Sequence, residues 1–386
     1  MSGSRYHAVA ADSIFDGDIV LRDSAVIVDG AHVVAVSPRG ELPASMPVHS
    51  LPPNAWLAPG FIDVQVNGGG DVLFNDVPTP EGISAIAAAH RRFGTTGLLP
   101  TLISDTPDKM RAALAAAQSA VADNPSVLGI HFEGPYLSPE KPGVHDPSMF
   151  KKPDAHDVDL LTSWPAGAVV VTLAPECVPE GFIAALTRSG VRVSLGHSLA
   201  TYAQTKAAIA EGLTGVTHIF NAMRPLSSRE PGPIAAALET PGVWFGMIVD
   251  GEHVAAPMLQ LALRGAAHPM LVTDAMPSVG GRKSSFALNG QEITVRDGRC
   301  TRGDGTLAGA VLDMASAVRN SVRLLDVPLT TALRFASTAP AEFLGLGHRL
   351  GRIAPGFRAD MVAFEPAHIQ VLETWVGGKA REQVNA

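Results

Sequence analysis

Residues 191–218 read VRVSLGHSLATYAQTKAAIAEGLTGVTH. Val191–Leu195 is an apolar run of strand length that ends in Gly196-His197. Tyr202–Ala210 is an alanine-rich helical stretch, and Gly215–His218 opens a second apolar run that closes on another histidine. Continuous apolar strands separated by a helix are what a parallel βαβ unit, buried on both sheet faces, requires. The spacing places His197 and His218 at the ends of adjacent strands.

Working outward, the same unit recurs. Strand-length apolar runs lie at Phe61–Val66, Thr96–Pro100, Val127–Phe132, Ala168–Leu173, Val243–Val249 and Pro269–Thr273, with helical stretches such as Gly82–Arg92 and Lys109–Ala122 between them. With the opening pair these make eight strands, which predicts an α/β chain built on a (β/α)8, TIM-like barrel. An open doubly wound sheet is the rival, disfavoured because no Gly-x-Gly-x-x-Gly opens a helix after a strand. Residues 275–306 break the rhythm with β-like pieces and are expected to form a β-hairpin insertion, followed by a long helix over Ala310–Leu325.

The two ends read differently. Ser24–Val28 and Ala31–Ser37 are Val-rich and hinged at Asp29-Gly30, a hairpin signal, and Ala359–Phe364 and His368–Val376 are short strands. Neither end can bury a sheet face alone, so they are expected to pair into one small β domain. The expected division is 1–55 plus 350–386 for that domain and 56–349 for the barrel.

Composition narrows the class. The 386 residues are 46% hydrophobic and 17% charged, ample for a large core and unlike a disordered chain. The net charge of −8 and an aromatic content of 5% argue against nucleic-acid binding. No apolar run approaches the roughly 18 residues of a membrane span, and Met1 to Asp18 does not read as a signal peptide. The two cysteines, Cys177 and Cys300, form no CxxC pair, which excludes a cysteine-based zinc site and fits a reducing, cytoplasmic location.

Polar residues gather at the expected strand ends: Gln65 and Asn67, Glu133, His197, His218, Asp250 with His253, and Asp274. In a (β/α)8 barrel these converge on the face where active sites lie. A carboxylate and two imidazoles from different strands suit a divalent ion with an open position, as a hydrolytic zinc site needs, so Glu133, His197 and His218 are the expected ligands. Asp274 is placed to take a proton from water held there. His131 shares the inward face two residues before Glu133 and is read as structural. Gln65 and Asn67 end the first strand, but neutral amides are poor zinc ligands.

In order, PGFID at 59–63, HFEGPY at 131–136, GHS at 196–198, THIFNAM at 217–223, REPG at 229–232, DGEHV at 250–254, LVTDA at 271–275 and LAG at 307–309 resemble the amidohydrolase superfamily. Within it the resemblance is to the N-acetylglucosamine-6-phosphate deacetylases, and it spans essentially the whole chain. It implies a β-sandwich for the domain made from both termini. Many members of the superfamily carry His-x-His after the first strand and hold two ions. In this chain Gln65-Val66-Asn67 stands there, and no lysine ends the fourth strand at Leu173-Ala174-Pro175. The resemblance is therefore to the branch with one ion per chain. It implies hydrolysis of the acetamide of N-acetyl-D-glucosamine 6-phosphate. Asp274 would be the catalytic acid/base, and His145 would polarise the carbonyl. Val144, His145, Asn221, Ala222, Asp250, His253 and the backbone of Leu307-Ala308-Gly309 would meet the sugar. Arg229 would reach the phosphate in a partner subunit's site, which implies a homodimer. The alternatives are another amidohydrolase, of dihydroorotase or N-acyl amino-acid deacylase type, and a non-catalytic sugar-phosphate-binding protein.

Overall fold

Strands buried on both faces can only be satisfied by helices packed around a sheet, and that is what the chain builds. The computed structural model describes residues 6–164 and 167–381. Eight parallel strands follow one another in space: β1 (Phe61–Val66), β2 (Thr95–Ile103), β3 (Gly129–Glu133), β4 (Ala168–Leu173), β5 (Arg192–Leu195), β6 (Gly215–Val216), β7 (Trp244–Met247) and β8 (His268–Leu271). Every residue of β1, β2 and β3 is buried, which is why these runs lack the alternation of a half-exposed strand. The barrel closes where Asp274 N–H donates to the Gln65 carbonyl at 3.0 Å and Asn67 N–H to the Ala275 carbonyl at 2.9 Å. The (β/α)8 expectation holds.

The helices start where side chains cap them. The Thr106 hydroxyl accepts the Lys109 N–H ahead of Pro107–Asp123, which buries Ala113, Leu114, Ala117 and Ala120. Thr201 and Gln204 form a reciprocal capping box before Tyr202–Ala210.

The chain separates into two compact units, Met1–Asp63 with His90–Gly97 and Met314–Ala386, and Val64–Ala89 with Leu98–Asp313. In the first, both ends of the chain share an eight-stranded sheet. Trp56–Pro59 pairs parallel with Tyr6–Phe15 and antiparallel with Met361–Glu365, so the N- and C-terminal strands interlock through it. Over Ala8–Ala11 alternate residues serve opposite faces: Val9 and Ala11 join Val26, Leu57, Met361 and Trp375 in one core, while Ala8 and Ala10 pack with Ala25, Leu42 and Met46.

The stretch after β8 is more than the expected hairpin. Ser285–Leu288, Gln291–Arg296, Arg299–Thr301 and Leu307–Ala310 form a four-stranded antiparallel sheet. Asn289-Gly290 and Asp297-Gly298, all at positive φ, make its tight turns. The following helix is Met314–Leu325, because Leu307–Ala310 is extended and returns to the end of β8: Ala310 N–H donates to the Asp274 carbonyl and Met276 N–H to the Ala310 carbonyl, each at 3.0 Å. A sheet ladder thus claims Ala310, where the expected helix began, and the helix starts at Met314.

Candidate active site and metal centre

The strands deliver their C-terminal residues to one place. Glu133 ends β3, His197 follows β5 by two residues, and His218 follows β6 by two. Glu133 Oε1 lies 3.2 Å from His197 Nε2 and 3.0 Å from His218 Nε2, and the two nitrogens are 3.1 Å apart. All three side chains are buried. His197 Nδ1 lies 2.8 Å from the Lys141 carbonyl, which can only accept; the ring proton is therefore on Nδ1 and the Nε2 lone pair faces inward. Gly143, at φ +55, passes so close that a Cβ there would meet His197 Cε1 at 3.0 Å.

A carboxylate oxygen and two imidazole nitrogens within 4.8 Å of one another fit a divalent ion. Ligands around a four-coordinate zinc at 2.0–2.1 Å stand about 3.4 Å apart, close to the separations here. Without an ion the cluster must share protons. Burial raises Glu133, but its contacts with His197 and His218 outweigh that and hold it well below the usual carboxylate range. Burial lowers His218, and Glu133 more than reverses it.

Asp274, three residues past β8, faces the same cluster. Its Oδ1 accepts from Asn67 Nδ2 at 2.7 Å and from Gln65 Nε2 at 3.1 Å, and the same Gln65 nitrogen reaches Glu133 Oε1 at 3.2 Å. Gln65 and Asn67 therefore turn N–H donors toward these carboxylates. Burial first, and the Glu133 charge second, push Asp274 up to about 6. That is the condition of a carboxylate poised to accept and return a proton.

His145 comes from a loop. Its Nδ1 accepts the Ser104 backbone N–H at 3.2 Å, with Ser104 Oγ at 2.8 Å, so the proton sits on Nε2, 3.9 Å from Glu133 Oε2. Burial, reinforced by His197, keeps the ring well below its ordinary pKa and hence neutral. A neutral imidazole held this way offers a fixed N–H donor. The insertion sheet secures the loop: Arg302 Nη2 and Asn289 Nδ2 donate to the Val144 carbonyl at 2.8 and 3.1 Å.

These groups open onto a cavity of about 240 Å³ whose walls include Val144, His145, Asn221, Ala222, His253, Asp274, Leu307 and Gly309. The Ala308 side chain packs into the core with Met276 and Cys300, while its neighbours Leu307 and Gly309 reach the cavity wall. Two expected residues stand elsewhere. Asp250 holds His253, accepting its Nδ1–H at 2.6 Å and its backbone N–H at 2.9 Å, so that His253 rather than Asp250 meets the cavity. Arg229 is exposed and does not line the cavity. Ser104, Ile103, Ile248, Met276 and Thr306 were not legible as site residues. Ser104 was hidden because β2 runs on to Ile103, past the expected end at Pro100; strand-end logic with the true boundary finds it.

This fold and site have a family. Residues 56–386 match the amidohydrolase family, and the chain belongs to it. Its relatives narrow the likeness. It is 42% identical over 328 residues to an N-acetylgalactosamine-6-phosphate deacetylase of Shewanella sp. (strain ANA-3), covering 84% of this chain and 82% of that one. It is 35% identical over 368 residues to an N-acetylglucosamine-6-phosphate deacetylase of Haemophilus influenzae, covering 94% and 96%. The crystal structure of N-acetylglucosamine-6-phosphate deacetylase from Pasteurella multocida superposes with a TM-score of 0.94 at 34% identity, over 97% of this chain and 99% of that one. Among the described residues no helix is long and apolar enough to cross a membrane.

Proposed function

We propose that the protein hydrolyses the acetamide of N-acetyl-D-glucosamine 6-phosphate to D-glucosamine 6-phosphate and acetate. It does so as a cytoplasmic homodimer with one divalent ion, zinc, per chain. The observation that carries this reading is the meeting, on one cavity, of Glu133, His197 and His218 with a raised carboxyl, Asp274, and a neutral donor, His145. The names of the relatives supply the substrate class.

Glu133, His197 and His218 would hold the ion, which when bound supplies a Lewis acid that makes water a nucleophile at neutral pH. Asp274 accepts the proton of the attacking water, Asn67 and Gln65 holding its Oδ1 in place. The His145 Nε2–H donates to the carbonyl oxygen as negative charge grows there. Asp274 then passes the proton to the leaving nitrogen, so water is consumed, the C–N bond breaks, and a carboxylate and a protonated amine leave.

A second reading has its own support. The relative at 42% identity is named for the galactosamine sugar, so the epimer is the nearest competing substrate. Acetate release should be measured on both 6-phosphorylated N-acetylhexosamines and on unphosphorylated N-acetylglucosamine, with and without a chelator. Chelator-sensitive release from the gluco 6-phosphate is expected to be fastest. Faster turnover of the galacto sugar would shift the substrate, and release indifferent to phosphate or chelator would overturn the proposal.

A further inference from the structure

Below the ion ligands, the barrel interior carries a line of buried polar side chains that hydrolysis does not use. His131 lies on β3 two residues before Glu133, Thr172 on β4, Ser194 on β5, and Thr217 immediately before His218; all are buried. His131 Nδ1 stands 2.9 Å from the Val64 carbonyl of β1, and its Nε2 is 2.7 Å from Thr172 Oγ1. Thr172 Oγ1 is 2.6 Å from Thr217 Oγ1, which is 2.7 Å from Ser194 Oγ.

The partners fix which way each bond points. A carbonyl only accepts, so His131 carries its proton on Nδ1 and offers a lone pair at Nε2. Thr172 must then donate to His131, which leaves its oxygen to accept from Thr217. Thr217 in turn accepts from Ser194. One carbonyl on β1 thereby orders a single-file chain across β3, β4 and β6 to β5. Space is as tight as the bonding: a Cβ on Gly196, next to His197, would meet Thr172 Cγ2 at 2.6 Å and Thr217 Cβ at 3.1 Å.

We propose that His131 is a positioning residue for the ion site, acting through Thr172, Thr217 and Ser194 to fix where β3, β5 and β6 release Glu133, His197 and His218. This rests on reading those three residues as the ion ligands. Residues that support metal ligands from behind typically change affinity 10- to 100-fold when lost. Here the support runs through the strand backbone, since among the described residues none of these four hydrogen-bonds a ligand side chain.

The test uses Co2+ on the full-length chain, read by chelator competition, by the visible ligand-field spectrum, and by thermal unfolding of the ion-free forms. His131→Phe and Thr172→Val, which remove the acceptor and the central hydroxyl, should each weaken Co2+ binding about 10- to 100-fold and alter the spectrum. Thr172→Ser, which keeps the hydroxyl, and His131→Gln, whose carbonyl can accept from Thr172, should restore most of the affinity. Should His131→Phe fail to fold, the Thr172→Val and Thr172→Ser pair decides. Lower ion-free stability with wild-type affinity and spectrum would make the chain mere packing and overturn the proposal. A wild-type protein that binds no Co2+ would remove the ion-site reading itself, which separates the two failures.

Discussion

Asp274 concentrates the tension in this site. Its carboxyl is raised from an ordinary 3.8 to about 6, by burial first and by Glu133 second. A folded-state pKa above the unfolded one means that the associated stability is present below about pH 4 and lost as the pH rises through about 6. In the ion-free protein at pH 8 the ionised carboxylate costs roughly 3 kcal/mol. Asp274→Asn keeps the shape and the acceptor for Asn67. The chelator-treated variant should therefore unfold at a higher temperature than chelator-treated wild type at pH 8, and with no advantage at pH 4. In the ion-loaded enzyme the same change should lower kcat by several orders of magnitude while leaving sugar binding intact. Near-native turnover would remove Asp274 from the proton path.

At the scale of the element, strand ends and the insertion sheet aim the chemistry. His197, His218 and Asp274 all adopt positive φ, at +48, +32 and +52. For residues other than glycine that region costs about 1 kcal/mol each, so the turns that present these side chains are strained. The barrel on which they stand bears that strain. The insertion sheet works differently, pinning the His145 loop through the Arg302–Val144 hydrogen bond. Arg302→Ala should lower kcat about ten- to a hundredfold, because a displacement of the donor by an ångström is expensive in rate. Its ion content should stay at the wild-type level, since Arg302 touches none of the ligands. Loss of bound ion on elemental analysis would show that the insertion also shapes the ligand cluster.

For the whole molecule the questions are ion loading and assembly. With one strong site of three ligands, the purified protein should hold about one divalent ion per chain, and His197→Ala should lose most of it; two tightly held ions would contradict the donor roles of Gln65 and Asn67. Stripping the ion should lower the melting temperature, since an ion at a hundred times its Kd adds about 2.7 kcal/mol to the folded state. Arg229 is exposed and away from its own cavity. If it serves a partner's site, Arg229→Ala should raise KM for the 6-phosphorylated sugar on the order of a hundredfold, with little change in kcat. Mixing it with Asp274→Asn should regain activity, because one site of a hybrid dimer then has both native groups. A fully active monomer in sedimentation would end the shared-site idea.

Periodicity and order along the chain determined a good deal by themselves. Apolar runs of strand length separated by helical stretches specify parallel strands covered on both faces, and eight such runs with no Gly-x-Gly-x-x-Gly turn favour the barrel over an open sheet. Glu133, His197, His218 and Asp274 follow from their places at strand ends, where barrel geometry makes sequence-distant residues neighbours. Tertiary structure alone decided the rest. Ser104 became a support for His145 only because β2 runs to Ile103, and strand length is set by pairing with β3 rather than by local composition. Leu307–Ala310 became a strand because the end of β8 offered it hydrogen-bond partners. Asp250 gave up the cavity to His253 because a carboxylate beside three available N–H groups is satisfied locally. The direction of the His131 chain depends on one carbonyl of β1, far away in sequence, and hydrogen-bond partners across a barrel are fixed only once the barrel has closed.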